Sequence, residues 1–177
     1  MTPHLEVRVL MVDPLEVEGD ALLRSVGEGL EGVTPLCRRI GVQAGESILA
    51  RLRGMEEAPV GAALVTPGGG ILPPFLIHLV IRSVDEAIST AGVARALRNA
   101  LRQAAGWEMD HLVLPPIGMG AGNLSAETGA RVTMEVLREH ADESPFPSRL
   151  TLPVPGSYEE DLFLREKARL FPPGDAP

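Results

Sequence analysis

Residues 112–125 have the sequence LVLPPIGMGAGNLS, and this stretch decides the fold. Its first part is apolar and uncharged, as expected of a central strand that is covered on both faces. Three glycines follow, and Ser125 then offers a hydroxyl that can accept from the free N–H groups of a first helical turn. A glycine-rich loop between a strand and a helix can bind an anion, because backbone N–H groups approach a phosphate closely and the helix dipole favours negative charge. The spacing alone fits an anion site and a simple tight turn equally well.

Working outward, hydrophobic periodicity predicts strands that alternate with helices. Strands are predicted over 5–12, 20–26, 59–66, 75–81, 111–114 and 150–154, with a hairpin-like connection at 67–74. Helices are predicted over 36–57, broken at Gly41 and Gly45, over 85–105 with Asp85 as the cap, over 125–139 and over 158–170. This order predicts an α/β fold, a three-layer α/β/α sandwich with a mixed, mostly parallel central sheet. Ligands bind such sheets at the carboxyl ends of the strands, which is where the glycine loop falls.

Length and composition suit one domain over 1–170 with a short C-terminal tail over 171–177. The net charge of −8 argues against broad binding of DNA or RNA. Cys37 is the only cysteine and the four histidines stand far apart, so we expect neither a disulfide nor a metal site, and no cofactor. His78, inside an apolar strand, is expected to be a hydrogen-bonded core residue. No membrane span or signal-peptide pattern is present, which predicts a cytoplasmic protein.

The ordered set of motifs resembles that of macro domains, a family known for binding ADP-ribose. The likeness extends over roughly residues 5–170 and is best in the second half. It rests on VGAALVT at 60–66, LPPFLIH at 72–78 and PPIGMG at 115–120, with VDP at 12–14 and DALL at 20–23 at the front. The family has a VGEA-VT strand, a VIH strand and a P-x-x-G-T-G phosphate loop in the same order.

The resemblance implies which residues contact a ligand. The adenine-contacting aspartate of the family falls on Asp13, whose carboxylate can accept a hydrogen bond from an exocyclic amine. The alternative is that Asp13 and Pro14 only open a turn. The backbone N–H groups implied as donors to a pyrophosphate are those of Gly118, Met119, Gly120, Ala121 and Gly122. Arg38 and Arg39 follow the first loop and suit phosphate, but a solvated helix face is the favoured interpretation.

The departures from the family pattern lie on its catalytic side. The motif DAIVNAAN becomes DALLRSVG at 20–27, so that Arg24 and Gly27 occupy the two asparagine positions. Without gaps, the family's GGGV loop aligns on VTPL at 33–36, where Pro35 has no N–H to donate. We therefore expect no hydrolysis of ADP-ribose esters or of ADP-ribosylated protein, and we assign no catalytic residue.

Three hypotheses follow. The first is a binding module for ADP-ribose or a related adenine nucleotide. The second is a degenerate macro fold that serves protein interaction or self-association as a homodimer, with the pocket closed by Pro35 and Leu36. The third is an enzyme that acts on an ADP-ribose derivative through a replacement for the missing asparagine. An intact cleft between Asp13 and Gly120 favours the first, and a cleft filled by residues 33–36 favours the second.

Overall fold

A six-stranded sheet forms the centre of the fold in the computed structural model, which describes residues 5–120 and 123–173. The strands are β1 (Glu6–Leu10), β2 (Ala21–Gly27), β3 (Ala63–Pro67), β4 (Phe75–Arg82), β5 (His111–Val113) and β6 (Arg149–Pro153). Their order across the sheet is β1-β6-β5-β2-β4-β3. All neighbouring pairs are parallel except β3 and β4, which form the predicted antiparallel hairpin.

Helices cover both faces of the sheet. They are α1 (Pro35–Ala44), α2 (Glu46–Arg53), α3 (Thr90–Gly106), α4 (Ala126–Glu143) and α5 (Ser157–Leu170). Alternate residues of β2 belong to different hydrophobic clusters: Leu22 packs with α1 and α2, and Leu23 packs with α3, α4 and α5. Both side chains are fully buried, so β2 is covered on both faces. The predicted three-layer α/β/α sandwich with a mixed, mostly parallel sheet is confirmed.

Several predicted helix boundaries differ from the structure: α2 ends at Arg53 and not at 57, α4 ends at Glu143 and not at 139, and two further differences have a clear cause. Gly41 lies inside α1 and does not break it, because its missing side chain makes room for another residue: a Cβ there would meet Nη1 of Arg24 at 2.5 Å. Gly45 alone separates α1 from α2, with a φ of 108° that favours glycine. Helix α3 begins after Ser89 and not after Asp85, because the Ser89 hydroxyl accepts the first-turn N–H of Gly92 at 3.0 Å.

The free edge of β3 is covered by side chains from α3. Asn99 Nδ2 donates to the carbonyl oxygen of Gly61, just before the strand, at 2.6 Å. Gln103, one turn further along α3, donates to the carbonyl oxygen of Ala63 in the strand itself. These carbonyl groups face away from β4, so the helix provides the hydrogen bonds that a further strand would otherwise supply.

Candidate functional site

An open cleft with a volume of about 910 Å³ lies at the carboxyl ends of β1, β5 and β6. Four parts of the chain form its walls: residues 11–14 after β1, residues 34–36 and 39 at the start of α1, residues 116, 119–120 and 123–126 in and after the glycine loop, and residues 153–155 and 159 at and after the end of β6. Parallel strands that end at one edge bring their following loops together, which explains why segments distant in sequence meet here.

Asp13 lies on one wall of the cleft, three residues after the end of β1. Its Oδ1 accepts the backbone N–H of Leu15 at 3.0 Å and so caps a short 3₁₀ turn over Pro14–Glu16. Arg39 holds the same carboxylate with two hydrogen bonds, Nη1 to Oδ2 at 2.8 Å and Nη2 to Oδ1 at 3.0 Å. The hydrogen bond from Arg39, followed by that from Leu15, lowers the pKa of Asp13. The group therefore both opens a turn and presents an ionised acceptor to the cleft at neutral pH.

The glycine loop forms the other wall. Met119 and Gly120 line the cleft, whereas Gly118 lies behind them, where a Cβ would meet Val93 Cγ2 at 2.9 Å. Gly118 and Gly120 have φ values of 72° and 120°, which favour glycine. Within the described residues, the N–H groups of Gly118 and Met119 have no hydrogen-bond acceptor.

The sequence also assigns roles to three residues that follow Gly120, namely Ala121, Gly122 and Ser125. Ala121 and Gly122, both predicted phosphate donors, lie outside the described residues. Ser125 is the N-cap of α4, as predicted, and its Oγ accepts the N–H of Thr128 at 3.2 Å. Thus Asp13, Met119 and Gly120 meet at one cleft.

Residues 34–36 form part of the wall and leave the cleft open. Pro35 is the first residue of α1, a position where its fixed φ suits the helix and its missing N–H leaves no helical bond unmade. Thr34 Oγ1 accepts the N–H of Cys37 at 3.1 Å. The proline at this helix start therefore serves helix initiation.

Arg24, at the first asparagine position of the family pattern, is buried and does not line the cleft. Only 2% of its surface is exposed, and its guanidinium lies under the first turn of α1, where Nη1 donates to the carbonyl oxygen of Cys37 at 2.9 Å. Its Nε donates to Nδ1 of His78 on the neighbouring strand at 2.9 Å. Arg24 therefore makes these hydrogen bonds inside the core.

Gly27 takes the second asparagine position of the family motif, and the side chain of Glu31 occupies the space above it. Its Oε1 stands where a Cβ on Gly27 would have to be. The Glu31 side chain is partly exposed, and Arg82 Nη2 is 3.9 Å from Oε1. The carboxylate of Glu31, four positions after Gly27, thus fills the space where the family's second asparagine side chain is expected. The alignment of the DALLRSVG motif did not predict this contact.

His78 is the buried, hydrogen-bonded residue that the sequence predicts. Because its Nδ1 accepts from Arg24, the proton resides on Nε2, which donates to Thr66 Oγ1 at 2.9 Å. The Thr66 hydroxyl donates in turn to the carbonyl oxygen of Pro67 at 3.0 Å. Burial, with a smaller contribution from the Arg24 charge, lowers the pKa of His78 to about 3. The imidazole is therefore neutral in the folded protein at any physiological pH.

We expect this network to make stability depend on pH. The unfolded chain binds a proton at His78 below about pH 6.5, whereas the folded chain binds it only near pH 3. Stability is therefore lost as the pH falls through this window, by up to about 1.4 kcal/mol per pH unit from this one group. Urea unfolding at pH 7.5, 6.0 and 5.0 measures the slope for the parent and for His78→Leu. The variant should have the shallower slope, and equal slopes would contradict the assignment. Burial also lowers the pKa of His111. This residue is present in both proteins, so its contribution to the two slopes is the same.

No group of three His, Cys, Asp or Glu side chains in residues 5–120 and 123–173 is placed to hold a metal ion. In the same part of the chain, no helix is long and apolar enough to cross a membrane.

The fold and the cleft at the carboxyl ends of its strands are those of a macro domain. The sequence profile of the family, described as "Macro domain", matches residues 25–133, and the chain belongs to this family.

Two relatives show how the chain compares with known sequences. It is 27% identical over 154 residues to a macro domain-containing protein in the gbd 3' region of Cupriavidus necator, covering 84% of this chain and 88% of that protein. It is 29% identical over 145 residues to the non-structural polyprotein p200 of Rubella virus strain M33, where the match covers 79% of this chain and 7% of the polyprotein.

Solved structures show the same fold. A mutant of the Oceanobacillus iheyensis macrodomain superimposes with a TM-score of 0.84 at 18% identity, covering 94% of this chain and 92% of that one. The macrodomain of the same organism with ADP gives 0.83 at 17% identity, covering 92% and 90%. A Trypanosoma brucei macrodomain in complex with ADP gives 0.80 at 12% identity, covering 93% and 69%.

Proposed function

We propose that this macro domain binds ADP-ribose or a related adenine nucleotide. The observation that carries the proposal is the open cleft with Asp13 on one wall and the Met119–Gly120 loop on the other. The first wall provides an ionised acceptor for an amine. The second provides backbone N–H groups and the N-terminus of α4 for an anion. A nucleotide needs both kinds of partner.

Binding without hydrolysis is the second part of the proposal. The two positions where the family pattern has asparagine carry a buried arginine and a glycine, and neither offers a side chain to the cleft. Hydrolysis needs groups that position water and substrate. The location of this protein in the cytoplasm stays a prediction.

Isothermal titration calorimetry of the purified protein with ADP-ribose, ADP and AMP tests binding, with UDP as the control for the base. We expect micromolar affinity, about −8 kcal/mol, for an adenine diphosphate. No heat at high ligand concentration, from protein shown to be folded by circular dichroism, would refute the proposal and favour the interaction hypothesis.

The same protein incubated with an ADP-ribose ester and with ADP-ribosylated protein tests the absence of hydrolysis. Release of product above that of the Gly120→Glu variant would establish the enzyme hypothesis instead. Glu31, the carboxylate above Gly27, would then be the first residue to substitute.

A further inference from the structure

We propose that Arg39 contacts the ligand and determines specificity, recognising the edge of the adenine base together with Asp13. The inference rests on the proposed function and adds a residue to it. Its basis is the pairing of Arg39 with Asp13 inside the cleft, 26 residues apart in sequence.

The Asp13 carboxylate has room for one more hydrogen bond. An ionised carboxylate offers about four lone-pair sites. Oδ1 accepts from Leu15 N–H and from Arg39 Nη2, and Oδ2 accepts from Arg39 Nη1. The remaining site is on Oδ2, which can accept a single amine hydrogen.

Arg39 keeps donors free beside that acceptor. A guanidinium has about five N–H donors in a fixed plane, and the pair with Asp13 uses two of them. The other donors have no acceptor among residues 5–120 and 123–173, and 52% of the Arg39 side chain is exposed. Nη1 lies 2.8 Å from Oδ2, so a free donor stands next to the free acceptor.

Adenine presents the complementary pattern, since its exocyclic amine donates and a ring nitrogen beside it accepts. If Asp13 takes the amine, the ring nitrogen needs a donor from the same wall. The backbone that follows Asp13 offers none: Pro14 has no N–H, Leu15 N–H is bonded to Asp13 Oδ1, and Glu16 N–H is bonded to the Asp13 carbonyl oxygen. Arg39 can supply the missing donor.

The same pairing argues against Arg39 as a phosphate ligand. The Asp13 carboxylate at 2.8 and 3.0 Å largely offsets the charge of the guanidinium, which weakens its attraction for an anion. The two-fold contact also holds the guanidinium in one plane, and this suits recognition of a flat base.

A thermodynamic cycle between Arg39 and the ring nitrogens tests the proposal. Calorimetry compares ADP, 1-deaza-ADP and 7-deaza-ADP on the parent and on Arg39→Met. One analogue should bind the parent about tenfold more weakly than ADP, as for loss of a hydrogen bond to a charged group. On Arg39→Met this difference should disappear. Arg38→Met is the matched control, because Arg38 Nη1 donates to the carbonyl oxygen of Gly32 and the side chain does not line the cleft.

The outcomes separate the two proposals. If the parent binds ADP and both deaza analogues with the same affinity, the role of Arg39 in base recognition is wrong and nucleotide binding stands. The same conclusion follows if an analogue binds more weakly than ADP and this difference persists in Arg39→Met. An equal loss for all three ligands on Arg39→Met would assign a phosphate or purely structural role and would also overturn it. If the parent binds no ADP, the proposed function fails and this inference fails with it.

Discussion

The Gly120→Glu variant is expected to lose at least about a hundredfold in affinity for ADP-ribose while staying folded. Gly120 lines the cleft, and among the described residues the nearest atom to a Cβ there is Asn123 Nδ2 at 3.7 Å, so the new side chain has room beside them. It would place a carboxylate where the phosphates are proposed to bind, and like charges in contact cost several kcal/mol in a partly buried site. Calorimetry with ADP-ribose measures the loss.

Two further variants separate charge from backbone strain. Gly120→Ala imposes the same strain at φ 120°, a cost of about 1–3 kcal/mol in stability, without the carboxylate. Gly106→Glu adds the same side chain at the end of α3, where a Cβ meets no atom of residues 5–120 and 123–173 within 4 Å. Both should bind ADP-ribose within a few-fold of the parent. Unchanged binding by folded Gly120→Glu would show that the glycine loop is not the phosphate site.

The His78→Leu variant is expected to lose about 3 kcal/mol of unfolding free energy. The substitution leaves Nε–H of the buried Arg24 without an acceptor and removes the donor to Thr66 Oγ1. Breaking one partner of a buried charged hydrogen bond costs more than the bond itself contributes, because the other partner stays desolvated. Urea unfolding followed by circular dichroism gives the difference.

A double-mutant cycle identifies the cause. Arg24→Met with His78→Leu removes both polar partners, so the double variant should lose less stability than the sum of the single ones. Additive losses would show that the two side chains do not depend on each other. Thr66→Val is a milder probe, with an expected loss of about 1 kcal/mol, if His78→Leu does not fold.

Local patterns predicted most of the fold because they act through neighbouring residues. The uncharged run Leu112–Leu114 is fully buried, and Ser125 caps α4 through a contact three residues away. The glycine loop and Asp13 could be placed at one edge because parallel strands end together. These features depend on periodicity and on short-range hydrogen bonds.

Such local patterns could not predict contacts between residues that are far apart in the sequence. A glycine at position 41 predicts a helix break, yet Gly41 lies inside α1 and makes room for Arg24, 17 positions earlier. The favoured interpretation of Arg39 as part of a solvated helix face missed its pairing with Asp13, which exists only in the folded chain. Likewise, the Glu31 carboxylate above Gly27 follows from the path of a loop. In each case the sequence shows the residue type but not its partner.

The cover that α3 gives to β3 limits how this protein can associate with others. Exposed sheet edges are where chains aggregate or accept a peptide as an extra strand. Here Asn99 and Gln103 already bond the outward carbonyl groups of Gly61 and Ala63, so an incoming strand would have to displace them. These two contacts therefore disfavour the addition of a further strand at the start of β3.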